Sequence, residues 1–243
     1  MIYKNCILLE TEKMTVDKFK TLFHNYYQMS RNSETKNKEI LENKPYLTKK
    51  ELSLLLEKKG KNLDKKITQL LKKEYLISLK KGIYTTRIYF LVNKKRLAEY
   101  LANVLYYPSY LSLEYVLQKQ GLIPGAVYVY SSVTSKLPRA FQNKISTFSY
   151  RHIKESLFIG YDEVDFKENY KIKIATKAKA LFDFLYLKPL KQGISQEILY
   201  DLRINWDVFN KKDYQEFLKY VKISQSKKML KISQAIKGVY DSK

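Results

Sequence analysis

The sequence contains few of the residues that build disulfides, metal sites and phosphate-binding loops. Its 243 residues include one cysteine, Cys6, and two histidines, His24 and His152. An intramolecular disulfide is therefore impossible, and no zinc-type ligand cluster is expected. Seven glycines leave little scope for a nucleotide-binding loop, and no G-x-S-x-G or H-E-x-x-H motif is present. We expect a protein that is not an enzyme and holds neither cofactor nor metal.

Long apolar runs are also missing. No stretch reaches the roughly 18 uncharged apolar residues that a membrane span requires. Glu10 and Glu12 fall where the apolar core of a secretory signal would run. Together with the single cysteine, these features predict a protein of the reducing cytoplasm that does not bind membranes. The composition, 45% apolar and 29% charged, is typical of a folded chain of one or two domains.

Acidic residues are few relative to basic ones. The chain has 46 lysines and arginines and 24 acidic residues, a net charge of +22 that is typical of proteins with polyanionic partners. Codon bias toward lysine is an alternative explanation, but it would spread the surplus evenly. Residues 44–96 instead carry 16 basic and 4 acidic residues, which is more than half of the surplus. This concentration favours a dedicated polyanion-binding segment.

The basic segment has the pattern of two short helices. Thr48 and Glu51 have the spacing of a capping box, so a helix is predicted over Thr48–Lys59. Gly60 is expected to end it, and Asn62 to cap a second helix that runs to Glu74. Leucine and isoleucine repeat at helical spacing on the inward sides: Leu52, Leu55 and Leu56, then Leu63, Ile67, Leu70 and Leu71.

A hairpin is predicted after the second helix. Tyr75–Leu79 and Ile83–Thr86 are β-prone runs, and Gly82 between them supplies the positive φ of a tight turn. Helix, turn, helix and hairpin is the order of a winged helix-turn-helix. The predicted organisation is an N-terminal helix and linker over residues 1–43, this DNA-binding domain over 44–96, and a further domain over 97–243.

Outward cations and polar side chains are the candidate DNA contacts. Lysines suit phosphates, while threonine and glutamine hydrogen-bond to base edges in a major groove. The alternative is that the lysines only solvate helix faces. The candidates lie on both helices and on the hairpin: Lys49, Lys61, Lys65, Lys66, Thr68, Gln69, Lys72, Lys80, Lys81 and Arg87.

The rest of the chain reads as a mixed α/β domain, so the predicted fold class is α+β. Helices are expected over 94–105 and 109–120, and a small sheet over about 126–175. Helices return over about 176–240, at Thr176–Leu187, Asp207–Val221 and Ser224–Tyr240. The predicted strands are Ala126–Val133, Ile145–Tyr150, Ser156–Tyr161 and Tyr170–Ala175.

One acidic cluster is the nearest approach to a catalytic site. Asp162, Glu163 and Asp165 precede a lysine-bearing strand, and paired carboxylates near a lysine are typical of magnesium-dependent nucleases. The alternative, which we favour, is that they are solvated residues of a turn between strands. A basic RNA-binding protein is a third interpretation of the same composition.

Several motifs in a fixed order resemble a known family. They are Y-P-S-Y-L-S-L-E from Tyr107, G-L-I-P from Gly121, the stretch from Thr134 to Phe141, F-S-Y from Phe148, L-F-I-G-Y from Leu157, and I-A-T-K-A-K-A-L-F-D-F-L from Ile174. With the L-K-K-G-I-Y hairpin from Leu79, the series resembles the AbiEi antitoxins of type IV toxin-antitoxin systems over residues 44–187. Lys177 and Ala178 stand where that family often has proline and glutamate.

The resemblance implies two activities. It implies a winged helix-turn-helix that represses its own operon at inverted repeats. Because the sequence has no coiled-coil heptads, we expect the free chain to be a monomer that pairs on the DNA. The resemblance also implies a second region that counteracts a nucleotidyltransferase-like toxin, with or without direct contact. The residues expected to form an exposed antitoxin surface are Lys177, Lys179 and Asp183, with Arg139, Arg151 and Lys154 as further basic candidates.

Overall fold

A computed structural model describes residues 43–167, 169–189 and 196–241. The fold is α+β, and the chain divides into two compact units, one ending at Val92 and one beginning at Asn93. The predicted boundary lay four residues later. The predicted helix and linker over 1–43 lie outside the described residues except for Asn43. None of the helices in the described ranges has the length and apolarity to cross a bilayer.

The first unit consists of two helices and a three-stranded antiparallel sheet. The sheet order is β1-β3-β2, and β2 and β3 form a hairpin in which Ser78 lies opposite Tyr84. The order of two helices and a hairpin agrees with the sequence prediction. The elements are β1 (Leu47–Thr48), α1 (Lys49–Leu55), α2 (Gly60–Lys72), β2 (Leu76–Lys80), β3 (Ile83–Thr86) and the start of α3 (Arg87–Leu105).

The predicted capping box begins α1, but two predicted boundaries are wrong. The Thr48 hydroxyl accepts a hydrogen bond from the Glu51 N–H, and the Glu51 carboxylate accepts one from the Thr48 N–H. Glu57 adopts a positive φ of 52°, which ends the first helix well before Lys59. Gly60 is therefore the first residue of α2 and not the end of α1, and Asn62 lies within the first turn.

The core of the first unit is built around one apolar cluster. Its fully buried members come from both helices and from the sheet, and they match the inward residues predicted at helical spacing. They are Leu47, Leu52, Leu63, Ile67, Leu70 and Leu76, with Leu55, Leu56, Leu71, Tyr75 and Tyr84 packed around them. This packing fixes which side of α2 faces outward.

The second unit is built on a mixed six-stranded sheet of order β6-β7-β5-β4-β9-β8. Strands β5 and β7 are parallel, as are β4 and β9, and the other neighbouring pairs are antiparallel. The strands are β4 (Ser109–Leu111), β5 (Val129–Thr134), β6 (Arg139–Gln142), β7 (Thr147–His152), β8 (Tyr161–Lys167) and β9 (Tyr170–Ala175). The helices are the second part of α3, then α4 (Leu113–Lys119), α5 (Lys177–Leu187), α6 (Lys211–Ser224) and α7 (Lys227–Asp241).

Asn93, the first residue of the second unit, has non-helical φ and ψ of −121° and 19°, which interrupt α3. The helix predicted over 94–105 is therefore the second part of a longer element. Short helical turns of other kinds lie at Glu155–Leu157, Glu197–Asp201 and Trp206–Val208.

Three predictions for the second unit are wrong. Ser109–Leu111 is not helical: it forms β4, so the sheet begins before residue 126. Its three residues are buried between β5 and β9, which removes the alternation that identifies a half-buried strand. The predicted strand over Ser156–Tyr161 begins as a 3-10 turn. The helix predicted over Asp207–Val221 begins only at Lys211, because Trp206–Val208 forms a separate 3-10 turn before α6. Strand β9 agrees with its prediction at both ends.

Candidate nucleic-acid interface

The outward side of α2 carries the candidate base and phosphate contacts. Because Leu63, Ile67 and Leu70 are buried, the residues between them point away from the core. Lys65, Thr68, Gln69 and Lys72 are exposed, as predicted, whereas Lys66 was also expected to be exposed and is half-buried. These five residues, Lys65, Lys66, Thr68, Gln69 and Lys72, are called the basic face below.

The cations of the basic face are not neutralised by any acidic residue in the part of the chain that the structure describes. Within the described residues, Lys65, Lys66 and Lys72 have no ion-pair partner. Asp64, the only acidic residue of α2, pairs instead with Lys49 at 2.5 Å between Nζ and Oδ1. The hydrogen bond to Asp64 raises the pKa of Lys49 above its ordinary value. Lys49 thus offsets the one negative charge on α2 and is itself paired, while its predicted role as a DNA contact stays a prediction.

The two polar members of the basic face differ in their availability. The Thr68 hydroxyl donates a 2.9 Å hydrogen bond to the Asp64 carbonyl in the preceding turn, so its donor is used within the helix. The side-chain amide of Gln69 makes no hydrogen bond within the described part of the chain. Gln69 therefore offers both a donor and an acceptor, the pair that reads adenine in a major groove.

The N-terminal end of α2 is positively charged. Its N-cap, Lys59, contributes no side-chain hydrogen bond, and the first turn contains no acidic residue. Lys59 and Lys61 are both exposed there, beside N–H groups that already carry the positive end of the helix dipole. Cations at this end disfavour the helix by about 0.3–1 kcal/mol each. A phosphate bound there would interact favourably with both the N–H groups and the lysines.

The hairpin tip lies beside the start of α1. Gly82 has a φ of 78°, and its carbonyl accepts a 2.8 Å hydrogen bond from the Lys49 N–H. Lys81 is exposed at the tip and Lys80 is half-buried. The tip thus presents at least one exposed cation on a fixed backbone.

Arg87 does not belong to the hairpin tip. Its guanidinium lies 3.7 Å from the Glu74 carboxylate, and its backbone N–H donates to the Tyr75 carbonyl at 2.9 Å. These contacts place Arg87 at the base of the hairpin, where it ties the end of β3 to the end of α2. Arg87 is thus engaged by Glu74, and its predicted role as a phosphate contact beside the wing stays a prediction.

The predicted antitoxin surface on α5 is not a surface. Lys179 and Asp183 are both 0% exposed, so their assignment as exposed residues is wrong. Lys179 Nζ lies 2.5 Å from Asp183 Oδ1, and Asp183 Oδ2 accepts hydrogen bonds from Tyr110 at 3.0 Å and Ser112 at 2.8 Å. We call these four residues the buried ionic cluster. Lys177 is also engaged, with Asp213 at 3.2 Å and the Val208 carbonyl at 2.7 Å.

Aromatic rings complete the surroundings of Lys179. Its Nζ lies 5.0 Å from the ring centre of Phe182, 5.3 Å from that of Tyr220 and 5.7 Å from that of Tyr110. Burial lowers the pKa of Lys179 and raises that of Asp183, because both charged forms lose their hydration. The ion pair and the two hydroxyl donors oppose those shifts. The cluster is built to hold two opposite charges inside the protein.

The other antitoxin candidates do not form one patch. Arg139 lies opposite Tyr150 in the sheet, whereas Arg151 follows Tyr150 directly on β7. Since side chains alternate along a strand, Arg139 and Arg151 lie on opposite faces of the sheet. Arg151 donates to the Leu187 carbonyl at 3.0 Å, and Lys154 is exposed just before the 3-10 turn.

The three carboxylates of the nuclease alternative lie on strand β8 and not in a turn. Asp162 and Glu163 are neighbours on the strand, so their side chains lie on opposite faces. Glu163 is 3.5 Å from both Lys171 and Lys173. Within the described residues, no group of three His, Cys, Asp or Glu side chains is placed to hold a metal ion.

A signal for the buried ionic cluster is present in the sequence. Residues 177–187 are apolar nearly all round, which is typical of a buried helix. A lysine and an aspartate four residues apart on such a helix must pair with each other. The hydroxyl donors Tyr110 and Ser112 could not be identified in this way, because they are more than 70 residues away in the chain.

No protein-family model matches the chain, and no curated protein matches it. Its function is therefore inferred from its own residues.

Proposed function

We propose that the chain is a DNA-binding repressor of its own operon and the antitoxin of a type IV system of the AbiEi kind. In this proposal the first unit is a winged helix-turn-helix, with α2 as the recognition helix and the β2–β3 hairpin as the wing. The observation that carries it is the basic face, whose three lysines have no acidic partner within the described residues.

The docking geometry follows from the placement of α2. With its apolar side packed inward, α2 inserts into a major groove. Lys65, Lys66 and Lys72 then pair with phosphates, and Gln69 contacts a base edge. Lys81, with Lys80, pairs with the backbone near the wing tip. Phosphate contacts supply affinity, and Gln69 supplies preference for an adenine.

Two copies bind one operator in this proposal. One winged helix covers a half-site, so an inverted repeat takes a pair, and affinity in the nanomolar range normally requires both. The free chain is a monomer of the cytoplasm that pairs on DNA. Sedimentation of the free protein and of the operator complex measures the stoichiometry directly. One copy on a full operator would contradict this part of the proposal.

The test of DNA binding is a competition between nucleic acids. A duplex from the region upstream of the chain's own gene should displace a structured RNA of equal length in filter binding. The Gln69→Ala variant should keep most of its affinity but lose preference at one base position. Stronger retention of the RNA would favour the alternative of a basic RNA-binding protein.

The second unit is proposed to counteract a nucleotidyltransferase-like toxin. Its exposed cations, Arg139, Arg151 and Lys154, are the remaining candidates for that role, since Lys179 and Asp183 are buried. Full-length chain carrying Lys65→Ala, Lys66→Ala and Lys72→Ala should rescue growth beside the toxin but should not repress the promoter. Loss of rescue in this variant would show that neutralisation depends on DNA binding.

A further inference from the structure

The β6 edge of the second unit carries cations that rest on aromatic rings. The Arg139 guanidinium carbon lies 5.3 Å from the ring centre of Phe141 and 5.9 Å from that of Tyr106. Lys136 Nζ lies 5.9 Å from the same Tyr106 ring. We call Tyr106, Lys136, Arg139 and Phe141 the cation–aromatic shelf. Both cations are exposed and both rings are half-buried.

The shelf is held in place by the core beneath it. The rings of Tyr106 and Phe141 both pack edge-on against buried Tyr150, at 5.2 and 5.8 Å between ring centres. The Tyr150 hydroxyl donates a 2.7 Å hydrogen bond to the Ala102 carbonyl on α3. The Tyr106 hydroxyl donates to the Leu137 carbonyl at 3.1 Å, which fixes the turn that carries Lys136. The shelf is therefore preorganised before any partner arrives.

The surroundings of the shelf favour an anionic partner. No acidic residue occurs between Glu114 and Glu155, and that interval contains Lys119, Lys136, Arg139, Lys144, Arg151 and Lys154. Neither Lys136 nor Arg139 has an acidic partner within the described residues. An arginine that lies against rings and has no carboxylate partner keeps its N–H donors available for a phosphate.

We propose that the shelf binds single-stranded nucleic acid. A base stacks against the exposed Arg139 guanidinium beside the rings of the shelf, and Lys136 pairs with the adjoining phosphate. Bases within a duplex are already stacked on one another, so this contact selects unpaired strands. This inference does not depend on operator repression, which uses residues of the first unit.

A second ring extends the proposed path along the strands. Tyr128 is 82% exposed and directly precedes β5, whose Val129 lies opposite Thr147 on β7. Thr147 in turn lies opposite Gln142, so Tyr128 and Arg139 are at opposite ends of the β6–β7 pair. Those ends are three residue steps of about 3.3 Å apart along the strands, and β5 lies two strand spacings of about 4.8 Å from β6, so the path has room for at least one further nucleotide.

The test uses full-length protein with the three basic-face lysines changed to alanine, so that the first unit contributes little. Fluorescence anisotropy measures binding of labelled single strands of about 12 nucleotides, one RNA and one DNA, with an unlabelled duplex as competitor. Arg139→Ala should weaken single-strand binding by about tenfold, the equivalent of one lost stacked base at about 1.4 kcal/mol. Arg139→Lys retains the positive charge but lacks the planar guanidinium. Its single-strand affinity should lie between those of the parent and of the Arg139→Ala variant.

Control variants separate the shelf from general charge. Lys212→Ala removes an exposed cation of α6 and should leave single-strand affinity unchanged. Phe141→Leu keeps the charges but removes a ring and should weaken binding, provided that circular dichroism shows a native spectrum. The RNA and DNA arms identify which nucleic acid is preferred.

Three results would overturn the proposal. One is equal single-strand affinity in the parent and the Arg139→Ala variant. Another is displacement of the single strand by an equal concentration of duplex. The third is loss of toxin neutralisation in Arg139→Ala with unchanged oligonucleotide binding, which would assign the shelf to a protein partner.

Discussion

Lysines on helices have opposite environments in the two units. In α2, Lys65 and Lys72 are exposed and have no acidic partner within the described residues, whereas in α5 Lys179 is fully buried against Asp183. The difference follows from how much of the surface of each helix packs against the rest of its unit. Helix α2 buries one stripe, while α5 is covered on nearly every side. A lysine on a helix is therefore exposed only when the helix has a side that faces solvent.

The two cores differ for the same reason. The first unit packs leucines and isoleucines and leaves its charge outside, where it is available to a polyanion. The second unit encloses an ion pair, two hydroxyl donors and three aromatic rings. Buried pairs of this kind add little net stability, but removing one partner is costly because a charge is left without compensation. Charge changes on the basic face should therefore affect binding, whereas charge changes in the buried ionic cluster should affect folding.

The largest expected effect is from breaking the buried ionic cluster. Lys179→Met leaves the buried Asp183 carboxyl without its cation, so that it must stay charged without compensation or take up a proton, and the free energy of unfolding of the second unit should fall by about 3–5 kcal/mol. This loss of stability is measured by urea unfolding, monitored through the fluorescence of Trp206, the only tryptophan of the chain. Lys212→Ala, an exposed lysine of the same unit, is the matched control and should change it by less than about 0.5 kcal/mol.

A double variant tests whether the two charges act as a pair. Lys179→Met combined with Asp183→Asn removes both charges and keeps an acceptor for Tyr110 and Ser112. Its loss of stability should be smaller than the sum of the two single losses by at least about 1 kcal/mol. Additive losses would contradict a coupled pair.

Substituting two glycines that have nearly the same φ separates the cost of backbone strain from the cost of overpacking. Gly160 has a φ of 76° and Gly82 a φ of 78°. A Cβ at Gly160 would lie 2.3 Å from the Tyr220 hydroxyl oxygen, whereas one at Gly82 has nothing within 4 Å. Gly82→Ala should cost about 1 kcal/mol from its φ alone. Gly160→Ala should cost about 1–3 kcal/mol more through overpacking.

Hydrogen-exchange mass spectrometry resolves these two losses, because peptides from each unit are measured separately. Exchange should accelerate in peptides around residues 76–86 for Gly82→Ala and in those of α5 and α6 for Gly160→Ala. Equal losses for the two substitutions would show that Tyr220 moves aside at no cost.

The smallest expected effect is at the α1 capping box. Burial raises the pKa of Glu51, but hydrogen bonds from Lys44 and Thr48 outweigh it, and the net pKa is lowered from 4.5. The ionised carboxylate therefore stabilises the folded unit above about pH 4.5, and the contribution is lost as the pH falls through the lower folded value. Glu51→Ala should cost about 1 kcal/mol at about pH 7. The difference from the parent should shrink below about pH 4 in hydrogen exchange of peptides from residues 43–60.

Local patterns predicted the first unit well, because its elements are encoded by nearby residues. The inward stripe of α2, the Thr48–Glu51 cap and the Gly82 turn each depend on spacing within a few positions. The helix boundary near Gly60 was missed because Glu57, not the glycine, adopts the left-handed conformation that ends α1. Nothing in the residue type of Glu57 indicates this.

The second unit was predicted less well because its features depend on distant residues. Strand β4 is three residues long and is defined by its neighbours β5 and β9, one of which lies more than 60 residues later. Asp183 is held by Tyr110 and Ser112 from the same distant segment. The shelf likewise joins Tyr106 to Arg139 and Phe141 across the sheet edge. A single sequence shows such residues but not their proximity.

The salt dependence of operator binding tests the central claim, that α2 contacts DNA phosphates through the basic face. For the parent and for the Lys65→Ala, Lys66→Ala, Lys72→Ala variant, the logarithm of the association constant is measured against the logarithm of salt concentration. Each lost phosphate contact lowers the magnitude of the slope by about 0.9, so the triple variant should lose about 2.7 and bind all duplexes more weakly. A control with Lys211, Lys212 and Lys219 of α6 changed to alanine has the same net charge and should keep the parent slope. An unchanged slope in the basic-face variant, or an equal loss in the control, would contradict the assignment of α2 as the recognition helix.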